Sequence, residues 1–193
     1  MRRSSPTAST RAGWRDRFGR YVLAVGGIEP RKGTLELVEA MALLGSADVR
    51  LVIAGGETLF DYRDYRAAVL GLAARRGVDP VLLGPVDDAA LPALVAAADV
   101  FAFPSAKEGF GLAAMEALAA GVPLVASDLP VLREVFAGAA LFAGDPAQLG
   151  AMIDRALRCP DPDRRAAGRT LAARHTWAAA AHAHVALYRA VIG

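Results

Sequence analysis

Short runs of consecutive apolar residues recur along the chain at 21–25, 50–54, 81–83, 100–103, 123–126 and 139–143. Each is followed by a turn and a longer amphipathic stretch. The runs are continuous rather than alternating, which is the pattern of strands covered on both faces. The stretches between them predict helices over 34–44, 61–76, 88–97, 111–120, 130–136 and 146–158. Strands alternating with helices imply right-handed βαβ units. The fold class expected is therefore α/β, a doubly wound parallel β-sheet of about six strands with helices on both faces. Residues 161–193 contain no strand-like run and predict two terminal helices. Residues 1–20 are polar, Arg-rich and without period, and read as a linker or tail. The main α/β domain then spans 21–160.

Composition narrows the function classes. The 193 residues suit one domain, and 54% hydrophobic with 22% charged residues marks a globular chain. The formal net charge of +2 is uneven. Residues 1–20 hold six Arg and one Asp, so the remainder is mildly acidic, with 16 basic and 19 acidic residues. That argues against a basic nucleic-acid-binding body. A single cysteine, Cys159, excludes an internal disulfide framework and a cysteine-based zinc site. His175, His182 and His184 are scattered, and no metal site is expected. The longest apolar stretches, 89–106 and 109–127, are broken by Asp99, Glu116, Gly and Pro, so no transmembrane helix is expected. The basic N-terminus lacks the apolar run of a secretory signal. The location expected is cytoplasmic.

A doubly wound sheet binds its ligand outside the carboxyl ends of its strands, so the loops there are where chemistry is to be sought. The first such loop is Gly26-Gly27-Ile28-Glu29-Pro30-Arg31-Lys32-Gly33. Its two leading glycines let the backbone approach a ligand. Arg31 and Lys32 stand just before a helix N-terminus, where positive charge is unfavourable unless an anion is present. The loop reads as a phosphate site or as a polar, solvated turn. Only two of the chain's 22 basic residues are Lys, namely Lys32 and Lys107, which favours the first reading. After the second run, Gly55-Gly56-Glu57-Thr58 fits either close backbone approach or a plain tight turn. After the third, Asp87 or Asp88 is expected to cap the next helix. Pro85 and Val86 there could alternatively form a wall against a base.

The loop after the fourth run, 104–118, carries the most information. Gly109 and Gly111 open a helix whose free N–H groups can face an anion. Glu116 sits within that helix among Ala, Leu and Met, where burying a carboxylate is costly unless it meets donors. Glu108 precedes the turn. The two carboxylates could grip the two ends of a sugar–diphosphate–nucleoside, or Glu108 could be solvated and Glu116 paired with an Arg. A rival pattern overlaps them. Residues 109–114 fit G-x-G-x-x-A, with Asp128 ending the next strand, which is a dinucleotide-binding signature. Against it, the motif follows the fourth strand rather than the first, and the segment 104–109 is long for a tight phosphate turn.

These residues resemble a known family. The run from Glu108 through Phe110, Glu116 and Pro123 to Ala126 is similar to the E-x7-E region of retaining glycosyltransferases of the GT-B fold, family 4 (group 1). Ala97-Ala98-Asp99-Val100 with Phe103-Pro104-Ser105, the run 51–55, the run 25–33 and Thr176-Trp177 resemble further segments of it. The resemblance covers about residues 20–192 and corresponds to the Rossmann-like, donor-binding half of the enzyme. It implies binding of a nucleoside diphosphate sugar, with UDP or GDP as the carrier. Glu116 would meet the ribose, Glu108 the donor sugar, and the N–H groups of Gly109, Phe110, Gly111 and Leu112 the sugar and diphosphate. Lys32 would neutralise the diphosphate beside Gly26, Gly27 and Arg31. Pro85 and Val86 would flank the base with Asp88 nearby. Lys32 and Glu108 are the catalytic candidates. No cofactor or metal is implied. The family commonly carries an Arg five or six positions before the Lys. Here Gly27 stands there or close by, with Arg31 as the candidate to compensate.

A GT-B enzyme has two such domains, and this length provides one. The implied partner is an N-terminal acceptor domain, on the same or a separate chain, toward which the last helix would cross. Any membrane association would be peripheral and through that domain, and the isolated half is expected to be inactive. Two alternatives carry forward, a non-catalytic sugar-nucleotide-binding module and a dinucleotide-binding oxidoreductase domain.

Overall fold

The computed structural model describes residues 9–56 and 60–192. Each apolar run forms a strand: β1 (Arg20–Val25), β2 (Val49–Ala54), β3 (Val81–Gly84), β4 (Val100–Phe103), β5 (Leu124–Ser127) and β6 (Ala140–Ala143). Among the described residues they make one parallel sheet in the order β3-β2-β1-β4-β5-β6. The helices between them are α2 (Thr34–Leu44), α3 (Arg63–Arg76), α4 (Leu91–Ala97), α5 (Leu112–Ala119), α6 (Pro130–Phe136) and α7 (Pro146–Arg158). The expected Rossmann-like α/β class is what the chain adopts.

Successive strand side chains point to opposite faces, and both faces are packed. Leu23, Val52, Phe101 and Leu124 enter one core with helices α4, α5 and α6. Val22, Leu51, Val100 and Val125 enter the other with α2, α3 and α7. This two-sided burial is why the runs are continuous in sequence. Two further helices follow the sheet, α8 (Pro162–Arg174) and α9 (Trp177–Ile192). Helix α8 lies on α5, with Gly168 against the Leu118 side chain. None of α9 is buried, and Trp177, Leu187, Tyr188, Val191 and Ile192 are exposed.

Two expectations need correction. Residues 10–18 are not a free linker. Arg11–Phe18 form helix α1, opened by Thr10, whose side chain accepts from the Gly13 N–H. Trp14 and Phe18 lie one helical turn apart and are buried in the α4–α5 core, stacked on each other and followed edge-on by Tyr21. Arg15 reaches Asp99, whose carboxylate also accepts from the Tyr21 N–H at 2.8 Å. The Arg17 guanidinium lies over the Trp14 and Phe18 rings, and in sequence the arginines mask this short apolar stripe. Residues 1–8 lie outside the described residues. Second, neither Asp87 nor Asp88 caps α4 with its side chain. The helix begins at Leu91, with Pro92 in its first turn, after a turn in which the Asp87 carbonyl accepts from the Ala90 and Leu91 N–H groups.

Candidate functional site

Strand order reverses between β1 and β4: the chain moves from β1 outward to β3, then returns to the other side of β1. Such a switch point opens a crevice at the carboxyl ends of the strands. Its two walls are the loop after β1 and the loop after β4. They are locked together at Gly33, whose φ of +63° joins a short 3-10 turn (Pro30–Lys32) to α2. A Cβ at Gly33 would lie 1.9 Å from the Pro104 carbonyl oxygen. The Ala106 N–H also donates to the Arg31 carbonyl at 2.9 Å.

This locking brings Lys32 to Glu108. Lys32 Nζ lies 3.0 Å from Glu108 Oε2 and 5.3 Å from the centre of the Phe103 ring, which it faces as a cation over an aromatic surface. The side chains of Lys32 and Glu108 are only 18% and 16% exposed, so solvent screens this pair less than an ordinary surface pair. Arg31 Nη1 is 3.9 Å from the same Glu108 oxygen, and its Nη2 is 2.7 Å from Glu29. Glu29 is 6% exposed, a buried carboxylate paired with Arg31. Fully buried Ser105 places its Oγ 3.5 Å from Glu108 Oε2. Of these residues, Glu29, Ser105 and Phe103 were given no role from sequence, although Phe103 and Ser105 belong to a segment that resembles the family. A Glu two positions before an Arg was the one signal available for Glu29.

Gly26 and Gly27 border the same crevice, and the Gly26 N–H donates to the Ala54 carbonyl at 2.8 Å. A Cβ at Gly55 would come 2.1 Å from the Gly26 oxygen, so this paired glycine permits close backbone approach rather than a plain turn. Glu57 and Thr58 lie outside the described residues. Pro85, Val86 and Asp88 follow β3, two strands from β1 at the same end of the sheet, and Pro85 lies against Gly56. Asp88 and Pro85 are exposed.

On the other wall, Glu108 leads through Gly109 and Phe110 to Gly111, which begins α5 at φ +93°. A Cβ at Gly111 would press against the Phe103 and Phe136 rings. No side chain caps α5, so its first N–H groups face outward with the positive end of the helix dipole. Leu112 and Glu116 are both exposed and lie one turn apart. The alternative of a solvated Glu108 with Glu116 paired to an Arg does not hold: Glu108 is held by Lys32, and the exposed Glu116 side chain makes no hydrogen bond or ion pair among the described residues. Asp128, the acidic residue of the rival dinucleotide pattern, is held by the Arg133 guanidinium. That hydrogen-bonded cation keeps its carboxyl below the usual range. Among the described residues no cluster of potential metal ligands occurs, and no helix is long and apolar enough to cross a membrane.

A crevice at the β1/β4 switch point, flanked by a lysine and an uncapped helix terminus, suits an anionic nucleotide. Comparison with known proteins defines the class. Residues 15–172 match the family of glycosyl transferases group 1. The chain is 35% identical over 185 residues to a phosphatidyl-myo-inositol mannosyltransferase of Mycobacterium leprae, covering 91% of this chain and 48% of that protein. Its fold is similar to that of sucrose-phosphate synthase from Thermosynechococcus elongatus, with a TM-score of 0.81 and 28% identity over 94% of this chain and 49% of that one. It is also similar to Anabaena HepE in complex with UDP-glucose, with a TM-score of 0.74 and 25% identity over 88% and 48% of the two chains. The chain belongs to the group 1 glycosyl transferases, and it spans about half the length of these relatives.

Proposed function

We propose that this chain is the donor-binding half of a retaining glycosyltransferase and takes a nucleoside diphosphate sugar. One observation carries the reading: Lys32 and Glu108 come together, 3.0 Å apart, at the switch-point crevice beside the uncapped start of α5. The α5 N–H groups and Lys32 receive the diphosphate. Glu108 accepts from donor-sugar hydroxyls, and Glu116, free of protein partners, accepts from the ribose. Pro85 and Val86 flank the base, with Asp88 nearby, and Gly26, Gly27 and Arg31 border the phosphates. The crystal of a relative holding UDP-glucose supports this class of ligand.

In the transfer step the bond from the anomeric carbon to the diphosphate breaks, with its electron pair going to the diphosphate oxygen. Once the diphosphate has taken Lys32 from Glu108, that cation and the N–H groups at the start of α5 stabilise the charge that builds up there, an electrostatic contribution. The proposed chemistry draws on these groups without a metal or cofactor, and activity is expected to survive a chelator. The acceptor hydroxyl is delivered by an N-terminal domain: its oxygen bonds to the anomeric carbon and its proton leaves with the diphosphate. The exposed apolar face of α9 is the surface assigned to contact it, and the chain alone is expected not to transfer sugar. We place the reaction in the cytoplasm.

Calorimetric titration of the chain with UDP, GDP and NAD tests the reading. A nucleoside diphosphate is expected to bind, NAD is not, and Glu116→Ala should abolish the binding. Tight NAD binding that ignores Glu116→Ala would overturn it in favour of a dinucleotide site.

A further inference from the structure

Three donors converge on one oxygen, Oε2 of Glu108: Lys32 Nζ at 3.0 Å, Ser105 Oγ at 3.5 Å and Arg31 Nη1 at 3.9 Å. A lysine, an arginine and a hydroxyl around one oxygen make an anion site, and here the protein's own carboxylate fills it. The surrounding charges cancel. Glu29 binds Arg31 on its far side, so Glu29, Arg31, Glu108 and Lys32 form an alternating chain of two anions and two cations. A diphosphate approaching this cluster meets no net positive charge from it while Glu108 stays in place.

Whether Glu108 leaves depends on what else the ligand offers. A carboxylate gives up a cation readily only when other donors replace it. A diphosphate that carries a sugar brings hydroxyls beside its phosphates. A nucleoside diphosphate from which the sugar has been removed keeps only its ribose hydroxyls, which are assigned to Glu116, and brings none beyond its terminal phosphate.

Resting on the donor-binding function above, we propose that Glu108 discriminates the sugar-bearing donor from the spent nucleoside diphosphate by competing with the diphosphate for Lys32 and Arg31. With a sugar present, the carboxylate turns to its hydroxyls and leaves both cations to the diphosphate. Once the sugar has gone, Glu108 recaptures Lys32 and displaces the product. One residue thereby serves both donor preference and product release.

The test is Glu108→Gln, which keeps the side chain's shape and removes its charge. Wild-type and variant chains are titrated calorimetrically with UDP and UDP-glucose, and with GDP and GDP-mannose. For the carrier that binds, the variant is expected to bind the free diphosphate on the order of tenfold more tightly, as loss of a close, partly buried competing charge should allow. It should bind the sugar ester no more tightly than wild type does, so the preference for the sugar ester collapses. Adding Lys32→Met to the variant should erase the gain. Glu108→Asp, which draws the carboxylate back by one methylene, should move affinities in the same direction by less. Weaker diphosphate binding in the Gln variant, or an equal factor for both ligands, would overturn this inference and leave donor binding standing. If the wild-type chain binds neither a diphosphate nor its sugar ester, donor binding and this inference fall together.

Discussion

Gly33→Ala probes how the two walls of the crevice are held. Gly33 and Gly45 bracket helix α2, with φ of +63° and +62°. An alanine at either position meets the same left-handed backbone penalty, about 1–2 kcal/mol. Either also restricts the unfolded chain by a similar amount, so that contribution cancels between them. Their surroundings differ. A Cβ at Gly45 meets nothing within 4 Å, whereas at Gly33 it lies 1.9 Å from the Pro104 oxygen and 2.9 Å from its carbonyl carbon. One wall must therefore move by roughly 1 Å or more, an overpacking cost of about 1–3 kcal/mol. At this chain length each kcal/mol lowers the unfolding temperature by about 2–4 °C. Thermal unfolding followed by circular dichroism should thus place Gly33→Ala about 2–12 °C below Gly45→Ala. Because Gly33 adjoins Lys32, the displaced wall should also weaken nucleoside diphosphate binding by roughly tenfold or more, while Gly45→Ala leaves it unchanged. Equal temperature losses, or equal affinities, in the two variants would show that the contact with Pro104 does not hold the site together.

Two further outcomes follow from the packing. Trp14→Ala should cost about 3–5 kcal/mol of stability in urea unfolding, because Trp14 is fully buried; removing residues 177–193 should leave the unfolding midpoint nearly unchanged, because none of α9 is buried. A small Trp14 effect would return α1 to the status of a tail. Burial holds the Tyr21 hydroxyl well above its ordinary ionisation range, and it donates to the Leu94 carbonyl. The folded state therefore retains a proton that the unfolded chain loses above about pH 10, so stability should fall as pH rises through that range. Urea midpoints measured from pH 8.5 to 11 should fall less steeply in Tyr21→Phe, and an unchanged slope would assign the loss to other groups.

Much of the fold can be read from the strands, since residues such as Val22, Leu51 and Phe101 are apolar for a reason local to each strand: both faces are covered. Helix α1 escaped notice because its apolar stripe is just Trp14 and Phe18, set among Arg11, Arg15 and Arg17. The supposed Asp cap on α4 failed for a different reason. Pro92 and the Asp87 turn set where that helix begins, and side-chain preference yielded to them. Lys32, Glu108 and Glu116 were identifiable as chemistry-bearing residues from their loops. Their mutual arrangement was not, because the Lys32–Glu108 contact joins loops 76 residues apart and depends on which strands are neighbours. Glu29 carried only the weak signal of its spacing to Arg31, for the same reason. Its burial is a property of the assembled crevice, and a Glu in a Pro-containing turn otherwise reads as solvated.

The β1–β4 pairing is a seam between two half-sheets, β1-β2-β3 on one side and β4-β5-β6 on the other. It carries two register pairs, Val22 with Val100 and Leu23 with Phe101, against six between β1 and β2. The backbone ladder is therefore thinnest just below the crevice, where the loops after β1 and β4 diverge. Lys32 belongs to one half and Glu108 to the other, so a molecule gripped by both lies across the seam like a staple. Occupancy then reports mechanical integrity: whatever shears the two halves apart also lengthens the gap between the two charges. By linkage, a bound nucleotide returns that relation and resists the shear.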